Sequence, residues 1–139
     1  MKLIVDANIL LAALIKKGLT AELLISDKLQ LLAPEFLLIE FSKYKNLILN
    51  KTHRKEKEFN HFLELLREQI TIIPKKEITP FMDEAIKISP DPKASIYLAC
   101  AISLKSNIWS NDKKLKHGQK RITVYSTEEL IEKTGLLKI

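Results

Sequence analysis

Lys2-Leu3-Ile4-Val5-Asp6-Ala7-Asn8-Ile9-Leu10-Leu11 sets the reading of the whole chain. A short apolar run, Leu3 to Val5, meets a carboxylate and then an amide, and a long apolar segment follows. Such a run bounded by polar residues reads as a buried strand. Parallel strands covered by helices on both faces lose the alternating pattern and become continuously apolar. A carboxylate at the carboxyl end of such a strand sits where open α/β sheets place their ligands. The plainer role for Asp6 is to cap the helix after it, since Asp and Asn favour N-cap positions. This stretch alone leaves both roles open.

Working outward, four more short strands are expected: Gln30–Ala33, Ile70–Ile73, Asn107–Ser110 and Ile122–Tyr125. Helices fill the intervals. Residues Ile9 to Ile15 end at Lys16-Lys17-Gly18, and Thr20 is placed to cap a helix over Ala21 to Ser26. Pro34 suits a first helical position, opening a helix that carries Phe36, Leu37, Ile39, Glu40 and Phe41. A break falls at Asn50 to Thr52. Glu56 to Gln69 is amphipathic through Phe59, Phe62, Leu63 and Leu66. Thr79-Pro80 reads as the cap and first position of a helix to about Ile88. Ser89-Pro90-Asp91-Pro92 is a rigid loop, and Ala94 to Leu104 is the most buried helix. Ser126-Thr127-Glu128-Glu129 makes a capping box for the last helix. Strands alternating with helices predict a parallel, doubly covered α/β sheet.

The 139 residues suffice for one domain with a sizeable core. No apolar run reaches the ~20 residues of a membrane span, and no signal-peptide pattern opens the chain. The lone cysteine, Cys100, rules out an internal disulfide and a cysteine zinc cluster, so a cytoplasmic setting is expected. Net charge is +6, with an isoelectric point near 9.4, which points towards a polyanion such as nucleic acid or simply to a lysine-rich surface.

Within this basic chain the carboxylates stand out. Asp6 and Asp112 each follow a strand, and a sheet whose order reverses between those strands makes them neighbours across the crevice. Glu40 is one connection away, and Asp91 precedes the buried helix, where it is also well placed as an N-cap. Oxygen donors without histidine or cysteine suit a hard divalent cation, and Mg²⁺ is commonly held by one or two carboxylates, waters and phosphate oxygens. Such a site activates water against a phosphodiester.

At this point the sequence resembles the PIN-domain ribonucleases, the family that includes the VapC toxins of toxin–antitoxin pairs. The likeness rests on Val5-Asp6-Ala7-Asn8, on Pro34 followed by Glu40, and on Asp91-Pro92-Lys93 leading into Tyr97-Leu98-Ala99-Cys100-Ala101. It is completed by Ile108-Trp109-Ser110-Asn111-Asp112 with Lys113 after it. The resemblance implies that residues 1–139 form one PIN-like, three-layer α/β/α domain with a five-stranded parallel sheet in order 3-2-1-4-5. It further implies Mg²⁺- or Mn²⁺-dependent endoribonuclease activity, RNA and an antitoxin as partners, and a homodimer. Asp6, Glu40 and Asp112 match the family's acidic positions, and Asn8 and Ser110 match residues that orient them. The metal is expected on Asp6 and Asp112, with Asp91 or Glu40. The family usually carries an aspartate where this chain has Ala94, so either Asp91 does that work, or the site is weakened, or Ala94 was introduced by mutation. Lys113, Lys114 and Lys116 are candidates for the RNA backbone, with a solvated loop as the alternative.

Two other classes compete. A PIN fold without catalysis, keeping RNA or a protein on its basic surface, is favoured by Ala94 and opposed by Asp6, Glu40 and Asp112. A dehalogenase-type phosphatase would want Asp where Asn8 stands, and a receiver domain an acceptor Asp where Pro74 stands. His53 and His61 read as surface residues, and Trp109 as core.

Overall fold

A computed structural model describes residues 1–15 and 18–136; Lys16 and Lys17, the expected helix end, lie outside the described residues. The strands are β1 (Lys2–Val5), β2 (Gln30–Pro34), β3 (Ile70–Ile73), β4 (Asn107–Trp109) and β5 (Val124–Tyr125). All pair in parallel, in the order β3-β2-β1-β4-β5. This is the sheet expected from the sequence. Leu3, Ile4 and Val5 are wholly buried, as a strand covered on both faces requires.

The reversal in strand order falls at β1, between β2 and β4. Val5 pairs with Trp109, and the Asp6 amide donates to the Trp109 carbonyl (3.3 Å). The carboxyl ends of the two strands therefore open side by side, at the point where such sheets form a crevice.

Ten α-helices among the described residues flank the sheet. Around the crevice lie α1 (Ala7–Ile15), α3 (Phe36–Lys43), α4 (Lys45–Thr52) and α8 (Ser95–Leu104). α8 packs on β1, β2 and β4, and on α6 (Lys75–Ile78) and α7 (Met82–Ile88). Its Leu98, Ala99, Cys100 and Ala101 are wholly buried, and the small side chains allow a close approach to the sheet. α5 (Glu56–Gln69) has the expected bounds, and its Phe59 stacks on Phe41 of α3 at 5.4 Å between ring centroids. The remaining helices are α2 (Leu19–Leu24), α9 (Lys113–His117) and α10 (Thr127–Thr134). Ser126 and Glu129 form the expected capping box of α10.

Several local expectations are corrected. Pro34 ends β2 instead of opening a helix; it pairs with Ile73, and by that residue the pairing of β2 with β1 has ended, so its missing N–H breaks no ladder bond. The helix expected after it is two, α3 and α4, meeting at Tyr44. Asn50 to Thr52 continue α4, where the Thr52 hydroxyl donates to the Ile48 carbonyl (2.6 Å), and the break comes at His53 in a left-handed conformation (φ 55°). Thr20 lies inside α2, whose N-cap residue is Gly18 at φ 150°, a conformation that favours glycine. Thr79 does not cap: a helical turn already runs over Lys75–Ile78, and the Thr79 hydroxyl donates back to the Lys75 carbonyl (2.8 Å). Pro80 lies in a 3₁₀ turn leading into α7.

Candidate active site

Asp6 is 8% exposed and held on both oxygens. Oδ1 accepts from the Asn8 amide (2.6 Å), and Oδ2 from the hydroxyl of Ser110, itself 1% exposed (2.5 Å). Capping α1 and lining the crevice thus turn out to be compatible roles for one carboxylate. The Ser110 hydroxyl also accepts from the Asp112 amide (3.1 Å), so a single side chain ties the ends of β1 and β4 together. Asp112 is the N-cap of α9, accepting on Oδ1 from the amides of Lys114 (2.9 Å) and Leu115 (3.3 Å).

Asp6, Asn8, Glu40, Asp91 and Asp112 line one cavity of about 190 Å³, together with Tyr44, Lys93, Ala94 and Tyr97. All four candidate carboxylates, from four separate parts of the chain, therefore meet at the switch point. Ser110 stands behind Asp6 rather than in the wall. Asn8 serves through its backbone amide, with its side chain exposed. Asp91 caps as well as lining the cavity, since Oδ1 accepts from the Lys93 amide (3.0 Å) in a 3₁₀ turn over Pro92–Ala94. Ala94 is buried in the wall, where its methyl group supplies no donor.

Burial, above all, pushes the Asp6 carboxyl above the ordinary carboxylate range, and the charges of Glu40 and Asp112 push the same way, against the Ser110 and Asn8 hydrogen bonds. The site thus gathers four carboxylates, and among the described residues none of them forms an ion pair. Among the described residues, no three His, Cys, Asp or Glu side chains are gathered to hold a metal ion. The donor set fits an ion of the Mg²⁺ type, which takes one or two carboxylates and keeps its waters, and does not form a closed protein cage. The Oδ2 atoms of Asp91 and Asp112 accept no hydrogen bond among the described residues, and so remain available.

Tyr97 was not singled out from the sequence. Its hydroxyl donates to Glu40 Oε1, joining α8 to α3 across the cavity wall. The signal was a phenol inside an otherwise small and apolar helix. The basic run after Asp112 is α9 rather than a loop, because Asp112 caps it and Leu115 is buried beneath it. Lys113 and Lys114 are exposed, while Lys116 is ion-paired with Glu129 of the α10 cap. Lys113, Lys116 and His117 line a second cavity of about 460 Å³ that shares Asp112 with the first. His53 and His61 are exposed away from the site, and Trp109 is core, its indole N–H donating to Thr127 (3.1 Å).

With that geometry in place, the likenesses to known proteins are specific. The family model of the PIN domain matches residues 4–133, and the chain belongs to that family. PIN domains are generally nucleases that use divalent metal ions. Among solved structures the chain is similar to a chain of VapBC2 from Rickettsia felis bound to a DNA fragment from their promoter. The two share 16% identity over 91% of this chain and 98% of that one, with a TM-score of 0.69. No curated protein matches. No helix among the described residues is long and apolar enough to cross a membrane.

Proposed function

We propose that the protein is a divalent-metal-dependent endoribonuclease, working as the toxin of a toxin–antitoxin pair. The observation that carries the reading is the convergence of Asp6, Glu40, Asp91 and Asp112 on one cavity at the sheet's switch point. Asp6, Asp112 and Asp91 would hold Mg²⁺ or Mn²⁺ between them, one or two bonding the ion directly and the rest through its waters, with Glu40 beside them. When bound, the ion supplies charge neutralisation at the phosphate and lowers the pKa of an attacking water. Ser110 and the Asn8 amide fix Asp6 so that its carboxylate does not turn away, and Ser110 sets Asp112 relative to it. Lys93 at the cavity and Lys113 and Lys114 beside it are the cations for the RNA backbone. Lys116 joins them only by leaving Glu129.

In the hydrolysis a water oxygen bonds to phosphorus, the bond from phosphorus to the leaving ribose oxygen breaks, and that oxygen takes a proton. No 2′-hydroxyl takes part. Cleavage should therefore survive 2′-O-methylation at the scissile residue and give no 2′,3′-cyclic phosphate, as end-group analysis of the products would read. Cyclic phosphate products, or cutting unaffected by EDTA, would contradict the reading. The similarity to a VapBC2 chain supports an antitoxin as partner, and the family resemblance implies a homodimer. A concentration-independent monomer in light scattering would count against the homodimer. Ala94 favours a second reading, a PIN module that binds RNA or a protein without cutting. RNA binding with no cleavage under any divalent ion would support it.

A further inference from the structure

We propose that Tyr97 is a positioning residue of this site, its phenol O–H holding the Glu40 carboxylate at the cavity wall beside Asp6. The inference rests on the metal-dependent reading of the site. Tyr97 lies in the buried run of α8 among Leu98, Ala99 and Cys100, a setting in which phenylalanine would pack as well without a polar atom to satisfy. Glu40 follows the buried Leu37 by three residues and precedes the buried Phe41, so it flanks the apolar face of α3 instead of pointing into solvent. The bond between them spans 57 residues of sequence and crosses from α3 to α8, and both residues line the cavity that holds Asp6. An acid on a flexible three-bond stem, next to a like charge, would otherwise swing towards water. A charge-assisted hydrogen bond from a rigid, buried ring opposes that motion. Ala94 makes the restraint matter more, because one wall of the cavity offers no donor to compensate for a displaced Glu40.

The test is a double-mutant cycle over Tyr97→Phe, Glu40→Gln and the double variant, read both as RNA cleavage and as Mn²⁺ affinity without RNA. Removing an outer partner of a site carboxylate typically costs 10–100-fold in metal affinity or activity. Tyr97→Phe alone should lose about 10-fold in kcat or Mn²⁺ affinity, with KM for RNA within about twofold. In the Glu40→Gln background the same change should cost less than about twofold, since nothing is left to position. Equal losses in both backgrounds would mean that Tyr97 acts through packing alone, and would overturn the proposal. Glu40→Asp gives a second approach, keeping the charge but shortening its reach; it should match the loss of Tyr97→Phe, and a wild-type level would also overturn it. If the wild type binds Mn²⁺ but cuts no RNA, the nuclease reading fails while the cycle in Mn²⁺ affinity still decides on Tyr97. If it does neither, both fail.

Discussion

Asp6 shows how function and stability oppose one another at a single side chain. Its carboxyl favours the protonated form in the folded protein, chiefly because it is buried and further because Glu40 and Asp112 are near. The folded state therefore binds this proton more tightly than the unfolded chain does. Asp6 then makes stability fall as pH rises from its ordinary value of 3.8 through the raised value in the fold, and the penalty is complete above that. Asp6→Asn should raise the Tm of the metal-free protein at neutral pH, by roughly 4 °C for each kcal/mol relieved, while abolishing cleavage. The gain should shrink in acid, and a variant less stable than wild type at pH 7 would show that the Ser110 and Asn8 bonds outweigh burial. Cys100 is simpler. Burial, with a smaller contribution from Glu77, pushes its thiol up to about 12, so it should resist thiol reagents in the native protein and react once unfolded.

At the level of elements, the turn after α9 leaves no room for a side chain at Gly118. A Cβ on Gly118 would lie 2.5 Å from the Lys114 carbonyl and 2.5 Å from Pro90 Cβ, in the loop that carries Asp91. Gly118→Ala should therefore destabilise by about 1–3 kcal/mol in chemical denaturation and weaken Mn²⁺ affinity by moving Asp91. An unchanged midpoint would show that the loop gives way freely. Most of the elements were legible because their signals are local: the apolar run of β1, the amphipathic repeat of α5 and the Ser126 capping box each specify themselves. Pro34 and Thr79 depart from their expected roles because their capping chemistry is overridden by neighbours. The Ile73 register draws Pro34 into β2, and the Lys75 carbonyl takes the Thr79 hydroxyl. The four carboxylates could be named from strand ends and family pattern. Tyr97 could not, since its bond to Glu40 exists only once α3 and α8 are brought together.

Taken as a whole molecule, the protein sets an acidic cavity in a chain of net charge +6. On the proposed function, that distribution would draw RNA to the surface yet repel it from the site until a cation binds. RNA affinity should fall steeply as salt rises. Mn²⁺ should raise the Tm of the wild type, with about 2.7 kcal/mol gained at a hundredfold excess over Kd, and should do so much less for Asp6→Asn. A Tm indifferent to divalent ions in both proteins would contradict an ion at the crevice. Ala94 is the residue on which the central claim turns, because the family resemblance implies an acid there and the proposed site has Asp91 serve in its stead. The most direct measurement is cleavage of a mixed-structure RNA under Mg²⁺ or Mn²⁺ by the wild type, Ala94→Asp and Asp6→Asn. The expected result is metal-dependent cutting by the wild type, retained in Ala94→Asp and lost in Asp6→Asn. Cutting by Ala94→Asp alone, or by none of the three, would contradict the claim that this chain is a working nuclease.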